Sequence, residues 1–187
     1  MKFKKRQFKA EKAAAQEIAE SLREYLFEYN KRKTKNKKLG EPIIVCVGSD
    51  LAIYDAVGPL CGTLLKRKLP DVSLYGSLDS LQTAKNIRQT AKYLKKEYPN
   101  RPIIAIDAAV TDESVGEISI RNQPLNPGTG IKRNLGKIGQ ITVMALTMHK
   151  DDLPFNFHIT RLGMVYAMAE TISDGVVMFL NDFRKNR

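Results

Sequence analysis

The stretch PIIVCVGSDLAIYDAVGPL, residues 42–60, decides the reading of the fold. Its run IIVCVG, 43–48, is apolar throughout and partly β-branched, the pattern of a strand buried on both faces. GSD, 48–50, ends the strand. AVGP, 56–59, leads into a helix that reaches about Lys68. Pro59 suits the first helical turn, where a missing N–H costs nothing. Strand, loop and helix in that order form the first half of a βαβ crossover.

Working outward, the crossover pattern repeats. Val72 to Tyr75 reads as a short strand closed by Gly76. Asp79 or Ser80 is placed to cap a helix over roughly 81–97, marked by Leu81, Ala84, Ile87, Ala91 and Leu94. PIIAID, 102–107, is a second buried strand, and it ends in an acid. Residues 115–120 alternate and predict an edge strand or antiparallel hairpin, and 141–148 give another strand. Residues 160–183 predict a helix with a kink near Ser173, Asp174 and Gly175. On the N-terminal side, 10–29 predict a helix with an apolar stripe from Ala13 to Tyr29 that needs a partner surface. NKRKTKNKKLGE, 30–41, reads as an exposed basic linker. The expected fold is a three-layer α/β/α sandwich around a mostly parallel sheet, with no internal repeat. A basic helix and linker over 1–40 precede a single α/β domain over 41–187.

Length and composition agree with that division. The 187 residues suit one domain, and the 43% hydrophobic content supplies a substantial core. The net charge of +11 is uneven: residues 1–40 hold 13 Lys or Arg against 5 Asp or Glu. The basic character belongs to the N-terminal segment, which reads first as a solvated arm and second as a contact for nucleic acid, an acidic protein or an anionic membrane surface. Cys46 and Cys61 read as buried thiols of a reducing compartment. No window approaches about 18 apolar residues without a charged or polar interruption, so no membrane span is expected.

The carboxyl ends of parallel strands are where open α/β sheets bind ligands. Strand 43–47 delivers Gly48, Ser49, Asp50 and then Asp55; strand 102–106 delivers Asp107. If these strands are neighbours, Asp55 and Asp107 converge. Two close carboxylates either share a proton, which suits acid–base work on a water, or bind a divalent cation. The bland alternative is that Asp107 caps a loop and Asp55 a helix. The loop PLNPGTGIKRNLGKIG, 124–139, offers Gly128 and Gly130 for close backbone approach and Lys132 and Arg133 for a carboxylate. It lacks the phosphate-loop pattern, and VGSDLAIYDAVG lacks dinucleotide spacing. His149 follows the strand 141–148, His158 lies in the loop beyond it, and Arg161 opens the last helix, where an ordinary salt bridge is expected.

Taken as an ordered set, VGSDLAIYDAVGP, YGSLD, IIAIDAAV, GEISIRNQPLNPGTGIKRNLGKIG and TRLGMVYAMAETI resemble the YyaC family of sporulation proteins over roughly residues 42–175. That family is distantly similar to the spore germination protease and the hydrogenase maturation proteases. The resemblance implies a phosphorylase/hydrolase-like (hydrogenase maturation protease-like) fold and a cytoplasmic protein in the mother cell or forespore of a spore-forming Firmicute. It implies two essential acids, which Asp55 and Asp107 match. It also implies a histidine as third ligand of a metal held by Asp55 and Asp107, for which His149 is nearest. Ser49 stands where the maturation proteases carry asparagine.

The functional expectation is a peptidase-like hydrolase acting on a protein or peptide substrate. Asp55 and Asp107 are its catalytic pair, with or without a divalent metal. Ser49, Asp50, Gly128, Gly130 and Lys132 would hold the substrate, and the basic surface would suit an acidic one. No direct nucleic-acid binding is expected, and a homo-oligomer is left open. The alternative is a binding or regulatory protein that kept the fold and lost turnover.

Overall fold

A computed structural model describes residues 4–9, 13–34, 38–127, 136–152 and 160–186. Six strands form one sheet: β1 (Lys5–Lys9), β2 (Ile43–Cys46), β3 (Leu74–Tyr75), β4 (Ile103–Thr111), β5 (Glu117–Arg121) and β6 (Ile141–His149). Their order is β1-β5-β6-β4-β2-β3. The β2–β3, β2–β4 and β4–β6 ladders are parallel, and β1–β5 and β5–β6 are antiparallel. The fold is thus mixed α/β with a largely parallel sheet.

Alternation along the strands builds two cores. Ile44, Cys46, Ile104, Ile106, Ile118, Ile120 and Val143 face α1 (Ala14–Tyr29), α2 (Val57–Lys68) and α4 (Leu162–Lys185). Ile43, Val45, Val47, Ile103 and Ala105 face Ile87 and Leu94 of α3 (Ile87–Glu97). Helices therefore cover both faces, as strands apolar on both sides require. Cys46 and Cys61 are buried free thiols in the larger core.

Several elements differ from the sequence reading. Lys5–Lys9 is a strand, not part of a solvated arm: it pairs with β5, so the 115–120 segment lies inside the sheet and not at its edge. The charges that hid this strand are consumed in the fold. Lys4 and Arg6 pair with Glu24 on α1, and Lys5 with Glu113. The α1 helix finds its partner surface on α4, with Ile18 and Leu22 fully buried. The kink foreseen in α4 does not form. Gly175 lies against Ile18 and lets the two helices approach closely, while Lys68 reaches Ser173 Oγ (2.7 Å) and Asp174 Oδ1 (2.6 Å). By length and composition α4 could cross a membrane, but here it is the core helix between α1 and α2. The α3 helix begins only at Ile87. Asn86 ties residues 81–86 into a turn, accepting from Thr83 N–H (2.8 Å) and donating to Leu81 O (2.8 Å).

Candidate active site

Parallel pairing of β2 with β4 ends at Cys46 opposite Ile106. Only β4 continues, paired with β6 as far as Thr111. Asp107 is therefore not the end of its strand, as the sequence suggested. It sits mid-strand, at the first position where β2 has dropped away. Small residues Ala108 and Ala109 carry β4 onward.

The chain leaving β2 turns back to fill the space. Gly48 adopts φ +141°, a conformation L side chains rarely take, and a Cβ there would overlap the Asp55 carbonyl. Ser49 N–H donates to Asp55 O (3.2 Å). Residues Ile53–Asp55 form one 3-10 turn in contact with β4, β6 and α4. Thr147 of β6, buried, donates its hydroxyl to Tyr54 O at 2.8 Å and so pins that turn to the sheet. Gly58 then lets the start of α2 rest on Val47: a Cβ would overlap the Val47 carbonyl oxygen. Thr147 escaped the sequence reading. Its signal, a polar residue inside an otherwise apolar strand, is common to many strands.

These constraints bring Asp55 and Asp107 into electrostatic contact. Burial pushes the Asp55 carboxyl from 3.8 up to about 6, and the Ser49 N–H only partly offsets this. Asp107 is driven well above the ordinary carboxylate range, first by burial and then by the Asp55 charge, against one N–H from Ala108 (2.9 Å). The Asp107 carboxyl is densely surrounded by protein, though the residue keeps some accessible surface. Neither acid has an ion-pair partner among the described residues. Two close acids without a cation favour sharing a proton over carrying two charges.

The other expected residues fall in different places. Ser49 is half-buried; its N–H serves Asp55 and its Oγ accepts from Leu51 N–H (3.2 Å). Asp50 is exposed. His149 is paired in register with Thr111, four residues past Asp107, or roughly 13 Å along the strand. Its ring meets Asp151 at 3.3 Å. Among the described residues no group of three or more His, Cys, Asp or Glu could hold a metal ion. The structure therefore does not bring His149 to the pair. Arg161 is exposed and forms no salt bridge with a described residue. Gly128, Gly130, Lys132, Arg133 and His158 lie outside the described residues. The described ends of their loop are informative for the first four. Leu125 bridges Ile138, and Gln140 Oε1 accepts from Ile103 N–H (2.6 Å). The loop is thus rooted at the start of β4, the end of that strand away from Asp107.

Three large apolar side chains are exposed on the segments leading to these elements: Leu51 (94%), Ile53 on the Asp55 turn, and Leu162 where α4 begins.

Residues 7–175 match the family described as protein of unknown function (DUF1256). The match takes in most of β1 and all of α1, so the N-terminal elements belong to the family's shared architecture. A protein of Bacillus subtilis (strain 168) described as uncharacterized protein YyaC is 32% identical over 144 residues, covering 75% of this chain and 70% of that one. The chain belongs to the DUF1256 family.

Proposed function

We propose that this DUF1256-family chain is a peptidase-like hydrolase whose reactive centre is the carboxyl pair Asp55 and Asp107. The observation that carries the reading is the placement of two largely enclosed acids without a cationic partner among the described residues: Asp107 where β2 drops away from β4, and Asp55 on the turn that fills that space. Burial of this kind costs stability, and structural needs do not explain it.

Of the pair, Asp55, raised to about 6, is assigned the base, and Asp107, pushed upward by burial and by the Asp55 charge, the acid. A water between them gives a proton to Asp55 as its oxygen attacks a peptide carbonyl. Asp107 passes its proton to the carbonyl oxygen. On collapse the C–N bond breaks, Asp55 returns its proton to the leaving nitrogen, and Asp107 recovers one from the tetrahedral hydroxyl. A divalent cation held by both carboxylates would polarise the carbonyl and acidify water. The described donors fit that role less well, because His149 faces Asp151.

The exposed Leu51, Ile53 and Leu162 favour a protein substrate with apolar side chains. The basic N-terminal residues Lys4, Lys5 and Arg6 are ion-paired within the fold, which weakens the case for an acidic substrate. Likeness to the germination and hydrogenase maturation proteases supports a phosphorylase/hydrolase-like fold and a cytoplasmic role in sporulation or germination as parts of the same proposal. The dense surroundings of Asp107 favour the second reading, a fold-retaining regulatory protein without turnover.

The test is incubation with spore extracts, comparing the parent with D55N and D107N by mass spectrometry of new peptide termini. The proposal expects products from the parent alone, with all three proteins folded. Identical termini from all three would overturn it.

A further inference from the structure

At the far end of α4 from the aspartates lies a half-open cavity of about 500 Å³. Leu26 and Phe27 of α1, Leu39, and Phe179 and Phe183 of α4 form its apolar walls. The α4 helix has 24 residues and is roughly 36 Å long, so this cavity is remote from the carboxyl pair. Its volume falls in the range of small-molecule sites, and its apolar walls are rimmed by Arg23, Asn30, Lys38, Asp182 and Asn186.

Among the described residues the cavity wall carries three charged side chains, Arg23, Lys38 and Asp182. Asp182, the acidic side chain on its wall, is neutralised by Arg23. Lys38 lines the cavity and forms no ion pair with a described residue. Phe27 is 68% exposed on the cavity wall, an apolar area that a ligand tail could cover.

We propose that this cavity binds a single-chain anionic amphiphile: a fatty-acid-like molecule whose tail lies against Leu26, Phe179 and Phe183 and whose carboxylate meets Lys38. The apolar walls select the tail, and Lys38, with Arg23 already paired to Asp182, selects the sign of the head. A protein partner is the weaker fit, because stable protein interfaces bury about 800 Å² per side and this cavity is sized for a small molecule.

The experiment uses the full chain and monomeric tetradecanoate below its micelle concentration, followed by calorimetry. Tetradecyltrimethylammonium serves as the cationic control. Stoichiometric, saturable binding of the carboxylate is expected, with the cation at least about tenfold weaker. K38E should weaken carboxylate binding by about tenfold or more, and F27A by several-fold. Both positions are at the surface, and melting curves without ligand check that the variants fold. If either variant misfolds, the anion–cation comparison on the parent still decides. Equal binding of both head groups, or no saturation, overturns the proposal. So does binding only to vesicles containing anionic phospholipid, which would make this face a membrane contact.

Discussion

Replacing Asp55 by asparagine should make the protein more stable, and only at neutral pH. Asp55 rises from 3.8 to about 6 because burial penalises its charge. At 1.36 kcal/mol per tenfold, that rise amounts to about 3 kcal/mol against the ionised native state. Residual solvent contact makes this a ceiling. The sign follows from proton binding. Below about pH 3.8 the carboxyl is protonated in folded and unfolded chains alike, and no penalty exists. Between 3.8 and 6 the unfolded chain releases its proton while the folded chain keeps it, so stability falls as pH rises. Above 6 the penalty is complete. Asparagine never carries it.

The D55N advantage should therefore be near zero at pH 3.5 and approach about 3 kcal/mol at pH 7.5, or up to ~6–12 °C in melting temperature for a chain of this size. Urea unfolding of both proteins across pH 3.5–7.5 gives the difference directly. Acid effects shared by the two cancel. A difference that does not vary with pH would refute the claim that the Asp55 carboxyl is desolvated, and the reactive-pair argument would go with it.

Two further outcomes are expected. Thr147→Val removes the hydroxyl that holds Tyr54 O at 2.8 Å; it should cost about 1–2 kcal/mol and let the Asp55 carboxyl fall from about 6 toward 3.8, read by carbon NMR titration. An unchanged titration would show that the 3-10 turn holds without this anchor. Deleting residues 1–9 should cost at least about 2 kcal/mol and promote association, because it uncovers the edge of β5, with sedimentation as the readout.

The sequence disclosed the parallel centre of the sheet because IIVC and IIAI are apolar on both faces, and only a covered parallel strand needs that. It disclosed the start of α2 through Pro59, and it offered the two acids as candidates through their position after buried runs. It hid β1 because KRQFK resembles a solvated arm unless Glu24 and Glu113 are already in place. The late start of α3 depends on Asn86 closing a turn, a local bond that competes with helix and that periodicity does not register. The loop 124–139 looked attractive for its glycines, yet which end of the sheet it leaves depends on the direction of β5. That direction is set by pairing between residues far apart in sequence, such as Ile118 with Ala145.

A purely structural role for the acids meets a specific difficulty. Asp107 accepts one N–H from its neighbour Ala108, and Asp55 stands near the Ser49 N–H. Asparagine could accept both bonds without charge and without the repulsion each acid imposes on the other. With total stabilities of about 5–15 kcal/mol, a penalty approaching 3 kcal/mol at one side chain is a large fraction of what keeps a domain folded. Backbone geometry adds to the difficulty: Gly48 in its unusual conformation and Gly58 against Val47 are both needed to return the chain so that Asp55 lies beside Asp107. A fold that needed only a cap could close this loop with fewer constraints. In the proposed reading, ionisable side chains where neutral ones would satisfy the hydrogen bonds, and a tightly specified turn that brings them together, serve proton transfer.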